Sequence, residues 1–134
     1  MSVRLIKLAV IYLVAGMSLG IWMGIAQDHT LRGVHAHINL LGWATLALTA
    51  VVFHVFPDLA RTRLAAIWFW VYNLSLPVAM ISLAFMLYGD MRAAPAVKIS
   101  HTFLWLGGVL FAANVLINLR EQSVARAAAL QASG

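Results

Sequence analysis

Four apolar stretches, each long enough to cross a bilayer as a helix, constrain this chain more than any other feature of its sequence. They cover residues 5–26, 34–56, 64–88 and 97–119. A helix rises about 1.5 Å per residue, so roughly 20 residues span a ~30 Å hydrocarbon core. Periodicity does not separate helix from strand where nearly every position is apolar. Length does, because strands rarely exceed about ten residues. Of 134 residues, 63% are hydrophobic and 10% charged, against about 45–50% and 25% in soluble domains. The expectation is an all-α, integral membrane protein with one transmembrane domain over 1–134. The first stretch is too long for a signal h-region and no small-residue cleavage site follows it, so it reads as a span.

The breaks between spans are short and polar. Gln27 to Gly33 joins the first two, Pro57-Asp58 and Arg61-Thr62-Arg63 punctuate the second turn, and Gly89 to Pro95 makes the third. Short connections force antiparallel neighbours, giving a four-helix up-down-up-down bundle. Pro77 falls inside span three and is expected to kink or open it locally.

The net charge of +5 does not point to nucleic acid, because the basic residues are scattered singly and form no patch. They report topology instead. Arg4, Lys7, Arg61, Arg63, Arg120 and Arg126 share one side; Arg32, Arg92 and Lys98 share the other. The positive-inside rule then puts both termini in the cytoplasm, in a bacterial inner membrane. The Ala-rich tail after Arg120 reads as a frayed helix extension.

Five histidines are present, and ionisable groups at membrane depth are costly enough to mark functional sites. His35, His37 and His101 begin spans two and four, which run parallel, so the three imidazoles share one depth at the outer side. His29 falls in a loop. His54 lies about 25 Å from His37 along the helix and reads as an interhelical hydrogen-bond partner. His35 and His37 point about 200° apart on a regular helix. The His35 face carries Asn39, Gly42, Leu46, Thr49 and Phe53; His101 shares its face with Trp105, Gly108 and Ala112. Small residues beside both histidines predict that His35 and His101 form an axial pair around one iron. His37 is left for a second haem or an interface.

The absence of cysteine excludes disulfides, thiolate zinc, Fe–S clusters and thioether-attached haem. Zinc needs about four compact ligands, and no Asp or Glu lies within a span. Haem b, one or two per chain, needs only one or two imidazoles and a flat apolar slot. Gly42 and Gly108 suit the slot, Asn39 could orient His35 from one turn away, and Arg32 and Arg92 stand at the right end for the propionates. Copper held by two or three histidines is the alternative.

Gly16, Gly20 and Gly24 form a small-residue stripe on span one, read first as close helix packing. Trp22, Trp43, Trp68, Trp70 and Trp105, with Tyr12, Tyr72 and Tyr88, read mostly as an interfacial belt. Asn39, Asn73, Asn114 and Asn118 read as interhelical hydrogen-bond partners.

The stretch Arg32-Gly33-Val34-His35-Ala36-His37-Ile38-Asn39-Leu40-Leu41-Gly42-Trp43 resembles the haem-copper oxidase subunit I superfamily. It looks most like short stand-alone subunit-I-like proteins and NnrS-type haem and copper membrane proteins. The matching segment is where oxidases and nitric oxide reductases place a low-spin haem b ligand near the outer surface, which implies haem ligation by His35 or His37. A full subunit I has about a dozen spans and a three-histidine copper centre beside a second haem. This chain has four spans and lacks those parts, so a proton-pumping oxidase is not expected. His101 matches no motif and enters on depth alone. The expectation is a small b-type cytochrome, a homo-oligomer that transfers electrons with a quinol or cytochrome partner, or reacts with oxygen or nitric oxide. A metal-handling protein and a cofactor-free accessory subunit are the rivals.

Overall fold

Each helix forms where apolar sequence runs unbroken and stops where a turn residue intervenes. The computed structural model describes residues 1–119. Helix α1 (Ser2–Ala26) ends at Gln27, whose φ of 52° is left-handed. Asp28 then ties the loop, accepting from the Thr30 backbone N–H at 2.9 Å and its hydroxyl at 2.6 Å. The second span is α2 (Arg32–His37), a π-helical segment (Ile38–Ala44) and α3 (Thr45–Val55) in one continuous path.

A short 3-10 turn at Leu59–Arg61 leads to α4 (Arg63–Leu87), where Thr62 caps the helix by accepting from the Ala65 N–H at 3.0 Å. Such caps are worth about 1 kcal/mol. Helix α4 continues through Pro77 without a break. Gly89, at φ 96°, makes the third turn with a conformation that needs no Cβ. Helix α5 (Ala94–Asn118) begins three residues before the expected 97, with Pro95 in its first turn. A proline there has no N–H to leave unsatisfied, so it starts the helix instead of ending the loop.

The described residues therefore form an all-helical bundle with four helical spans long and apolar enough to cross a membrane. Large apolar side chains cover its exterior: Ile11, Ile21, Leu48, Ile81 and Leu116 are all exposed. That pattern suits a bundle whose solvent is hydrocarbon. Arg120, Arg126 and the tail expected to fray lie outside the described residues.

Inside, an aromatic cluster joins the last three spans. Trp68 stacks on Tyr72 with ring centroids 5.6 Å apart and meets Phe53 and Phe111, each at 5.8 Å. Trp68 and Tyr72 are buried, so they belong to the core and not to an interfacial belt. Trp22, Trp70, Trp105 and Tyr88 are exposed, as belt residues are.

Near the end that carries the N-terminus, buried Asn114 accepts from the Thr62 hydroxyl at 2.8 Å and donates to the Leu59 carbonyl at 3.0 Å. Asn118 donates to the Asn114 side chain at 3.0 Å. These bonds fasten α5 to the turn before α4. Asn73 instead bonds within its own helix, to the Phe69 carbonyl.

Candidate functional site

His35 leaves α2 towards α1, where its Nδ1–H donates to the Gly16 carbonyl at 2.9 Å. The approach is close because α1 is bare there. A Cβ on Gly20 would lie 2.9 Å from the His35 ring, and one on Gly16 would lie 2.6 Å from the Asn39 amide. Gly16 and Gly20 are thus packing glycines, while Gly24 faces open space. Asn39 donates to the His35 carbonyl at 2.9 Å. Its amide nitrogen also lies 3.4 Å from His35 Nδ1, but both atoms carry protons, so this is a contact and not a bond. Asn39 holds the backbone below His35 without orienting the ring.

His37 leaves the other side of α2 and meets His101 of α5, with ring centroids 5.8 Å apart and ring planes at 76°. Its Nδ1–H donates to the Gly33 carbonyl at 2.7 Å, and that of His101 donates to the Val97 carbonyl at 2.8 Å. A carbonyl only accepts, so in all three histidines Nδ1 carries a proton, which in the neutral ring leaves the lone pair on Nε2. Metal-ligating histidines are commonly fixed through the other nitrogen in this way.

The sequence expectation of a His35–His101 pair is therefore corrected: His37 is the partner of His101. The two imidazoles of α2 do diverge as helical geometry requires. Which of them faces α5 depends on the order of helices around the bundle, and α1 takes the His35 side because Gly16 and Gly20 admit it. The three rings do not converge. Among the described residues no three metal-ligating side chains gather into a tetrahedral zinc site or a three-histidine copper site.

The glycines expected to clear a slot behave differently. The Tyr12 ring fills the space at Gly42, where a Cβ would come within 2.6 Å of it. Gly108 has open space above it, but on the outside of the bundle beside exposed Trp105. It makes a bare shelf on the His101 face of α5. Its neighbour Gly107 turns inward against Tyr72.

Of the two arginines, Arg32 is exposed at the first position of α2, at the same end of the bundle as the paired histidines. Arg92 is held in its own loop by Asp90, with Nε–Oδ1 at 2.9 Å and the second guanidinium nitrogen 3.0 Å from Oδ2. The guanidinium, followed by the Arg92 backbone N–H, holds the Asp90 carboxyl below its ordinary value. In this structure the partner of Arg92 is the Asp90 carboxylate. His29 is exposed in the first loop, and His54 is exposed in a groove of about 280 Å³ with Ser2 and Ile6, far from the pair.

Sequence reasoning missed the π-helical segment that begins one residue after His37. Such segments are rare and recur at functional sites. Here Thr45 donates its hydroxyl to the Leu40 carbonyl at 2.9 Å, and Tyr72 donates to the Leu41 carbonyl at 3.0 Å. Tyr72 stands well inside α4, too deep for an interfacial belt, and that depth was the available signal.

A protein-family model, DUF2871, described as a protein of unknown function, matches residues 2–116, a range that contains all five histidines. No curated protein and no solved structure matches the chain.

Proposed function

The chain belongs to the DUF2871 family, and from the geometry of its paired histidines we propose that it binds b-type haem and carries electrons at the outer face of a bacterial inner membrane. The observation that carries the reading is the His37–His101 pair. Both rings are fixed through Nδ1 to backbone carbonyls, which in the neutral rings leaves Nε2 as the donor atom, and their centroids stand 5.8 Å apart. Two nitrogens bound to one metal at about 2 Å each, with roughly half a ring on either side, put centroids about 6 Å apart. Two imidazoles are the donor set that would hold the iron of a haem, and two are too few for a closed zinc site.

Bound there by His37 and His101, haem would supply one-electron transfer. The chain's own residues give the pair its setting. Gly33 and Val97 fix the tautomers through their carbonyls. The shelf at Gly108 leaves apolar surface uncovered on the His101 face, and exposed Arg32 stands at the rim, where a carboxylate would find it. His35, clasped to α1, serves the packing of the bundle and stands apart from the pair. The likeness of residues 32–43 to the haem-bearing segment of oxidase subunit I supports the same reading. The excess of Lys and Arg beside the termini supports a cytoplasmic location for both ends.

The test is the pyridine haemochrome of detergent-purified protein from haem-replete cells, with metal analysis on the same sample. The expected result is haem b at one per chain. A colourless protein that carries copper instead would refute the proposal.

A further inference from the structure

Tyr72 touches both helices that carry the paired histidines. On one side its ring lies against Gly107 of α5, where an added Cβ would come 2.8 Å from Cδ2 and 3.4 Å from the tyrosine Cβ. On the other its hydroxyl donates to the Leu41 carbonyl at 3.0 Å. Leu41 lies in the π-helical segment about one turn beyond His37, and Gly107 lies less than two turns beyond His101. The ring is itself fixed, being 3% exposed and stacked on Trp68 at 5.6 Å.

A residue with two stiff contacts of this kind acts as a spacer. The aromatic ring has only two rotatable bonds, and the Trp68 stack restricts them. Gly107 sets how near α5 can come, since any larger residue would strike the ring. The hydroxyl sets where the wide turn of the π-helix stands, because the Leu41 carbonyl is directed to one donor on a neighbouring span. A hydrogen bond to a span's own backbone lasts in hydrocarbon, where water does not compete for the carbonyl.

We propose that Tyr72 is a positioning residue that sets the separation of His37 from His101, with its ring gauging α5 at Gly107 and its hydroxyl gauging the π-helical segment at Leu41. The role concerns haem only in so far as the pair binds it, as argued above; the spacing itself is a property of the protein.

Two measurements on Y72F test it, one of which needs no haem. The chain contains no cysteine, so H37C/H101C is a clean pair for oxidative cross-linking in membranes. Adding Y72F to that pair should slow cross-linking at least about threefold, because one of the two gauges is gone while the ring remains. F53L, which loosens the same aromatic cluster away from the histidines, should leave the rate within error and controls for general destabilisation. In the haem-loaded protein with both histidines present, Y72F should keep its haem but shift the low-spin electron paramagnetic resonance signal. It should also bind carbon monoxide more readily in the reduced state.

Cross-linking at an unchanged rate in Y72F, or slowed equally by F53L, overturns the spacer role. Slowed cross-linking in a protein that proves colourless upholds the spacer role and sinks the haem reading instead. A haem-loaded Y72F with an unaltered signal and no gain in carbon monoxide binding also counts against Tyr72.

Discussion

Replacing Asn114 with alanine should cost the bundle about 2 kcal/mol, and the structure says why the figure is neither smaller nor larger. Asn114 is fully buried and makes three side-chain bonds, to Thr62 at 2.8 Å, Leu59 at 3.0 Å and Asn118 at 3.0 Å. Side-chain hydrogen bonds between membrane helices average about 0.6 kcal/mol; the two that cross to the turn before α4, with the intrahelical Asn118 bond taken at a similar value, give about 2 kcal/mol. A stranded buried polar group would add about 1–3 kcal/mol, but little is stranded here. Without Asn114 the Thr62 hydroxyl turns its one proton to the Leu59 carbonyl, 3.1 Å away, and Thr62 still accepts from Ala65. The assay is reversible unfolding in mixed micelles, comparing midpoints of wild type and N114A; about 2 kcal/mol is a factor of about 30 in the folding equilibrium. A loss below about 0.5 kcal/mol would show that the network contributes nothing net. A loss above about 4 kcal/mol would show that the cost lies in stranded groups and refute the figure.

Other outcomes follow from the same packing. G42A drives a methyl group to 2.6–2.8 Å from Tyr12 and should destabilise by about 1–3 kcal/mol. G108A, with nothing within 4 Å, should stay within about 0.5 kcal/mol in the same unfolding assay. The Asp28 carboxyl is lowered first by the Thr30 hydroxyl and then by its backbone N–H, and Asp90 by Arg92. A depressed carboxyl stabilises above its ordinary pKa of about 4, and the effect fades as pH falls through the lowered value. Amide exchange in the loops at residues 28–30 and 90–92 should therefore quicken on acidification, and D28N should remove the pH dependence at the first loop only.

Hydropathy and length were enough to read four spans, because crossing a bilayer imposes a length that nothing else in a soluble core requires. Helical geometry was enough to separate His35 from His37, and the buried run of Gly42, Leu46, Thr49 and Phe53 follows the face projected from sequence. The partner of His101 was not legible. It depends on which helix stands on which side of α2, and near-uniform apolar spans carry no pattern that orders them. The π-helical segment was hidden for the same reason, since a wide turn changes periodicity only where polar residues mark it. The size of Gly42 was read as space for a ligand, when a tyrosine on another span fills it. Arg92 could have been read better, because Asp90 stands two residues away in a turn and is its nearest anion.

The most direct measurement of the central claim compares the low-spin haem signal of H35A, H37A and H101A with that of wild type, at equal protein and from haem-replete cells. Because His37 and His101 face each other at 5.8 Å while His35 is held on α1, H37A and H101A should each abolish the six-coordinate low-spin species. H35A should retain most of it, with a lowered melting temperature from the lost contact to Gly16. An H35A protein without the low-spin species, beside an H37A protein that keeps it in full, would contradict the account.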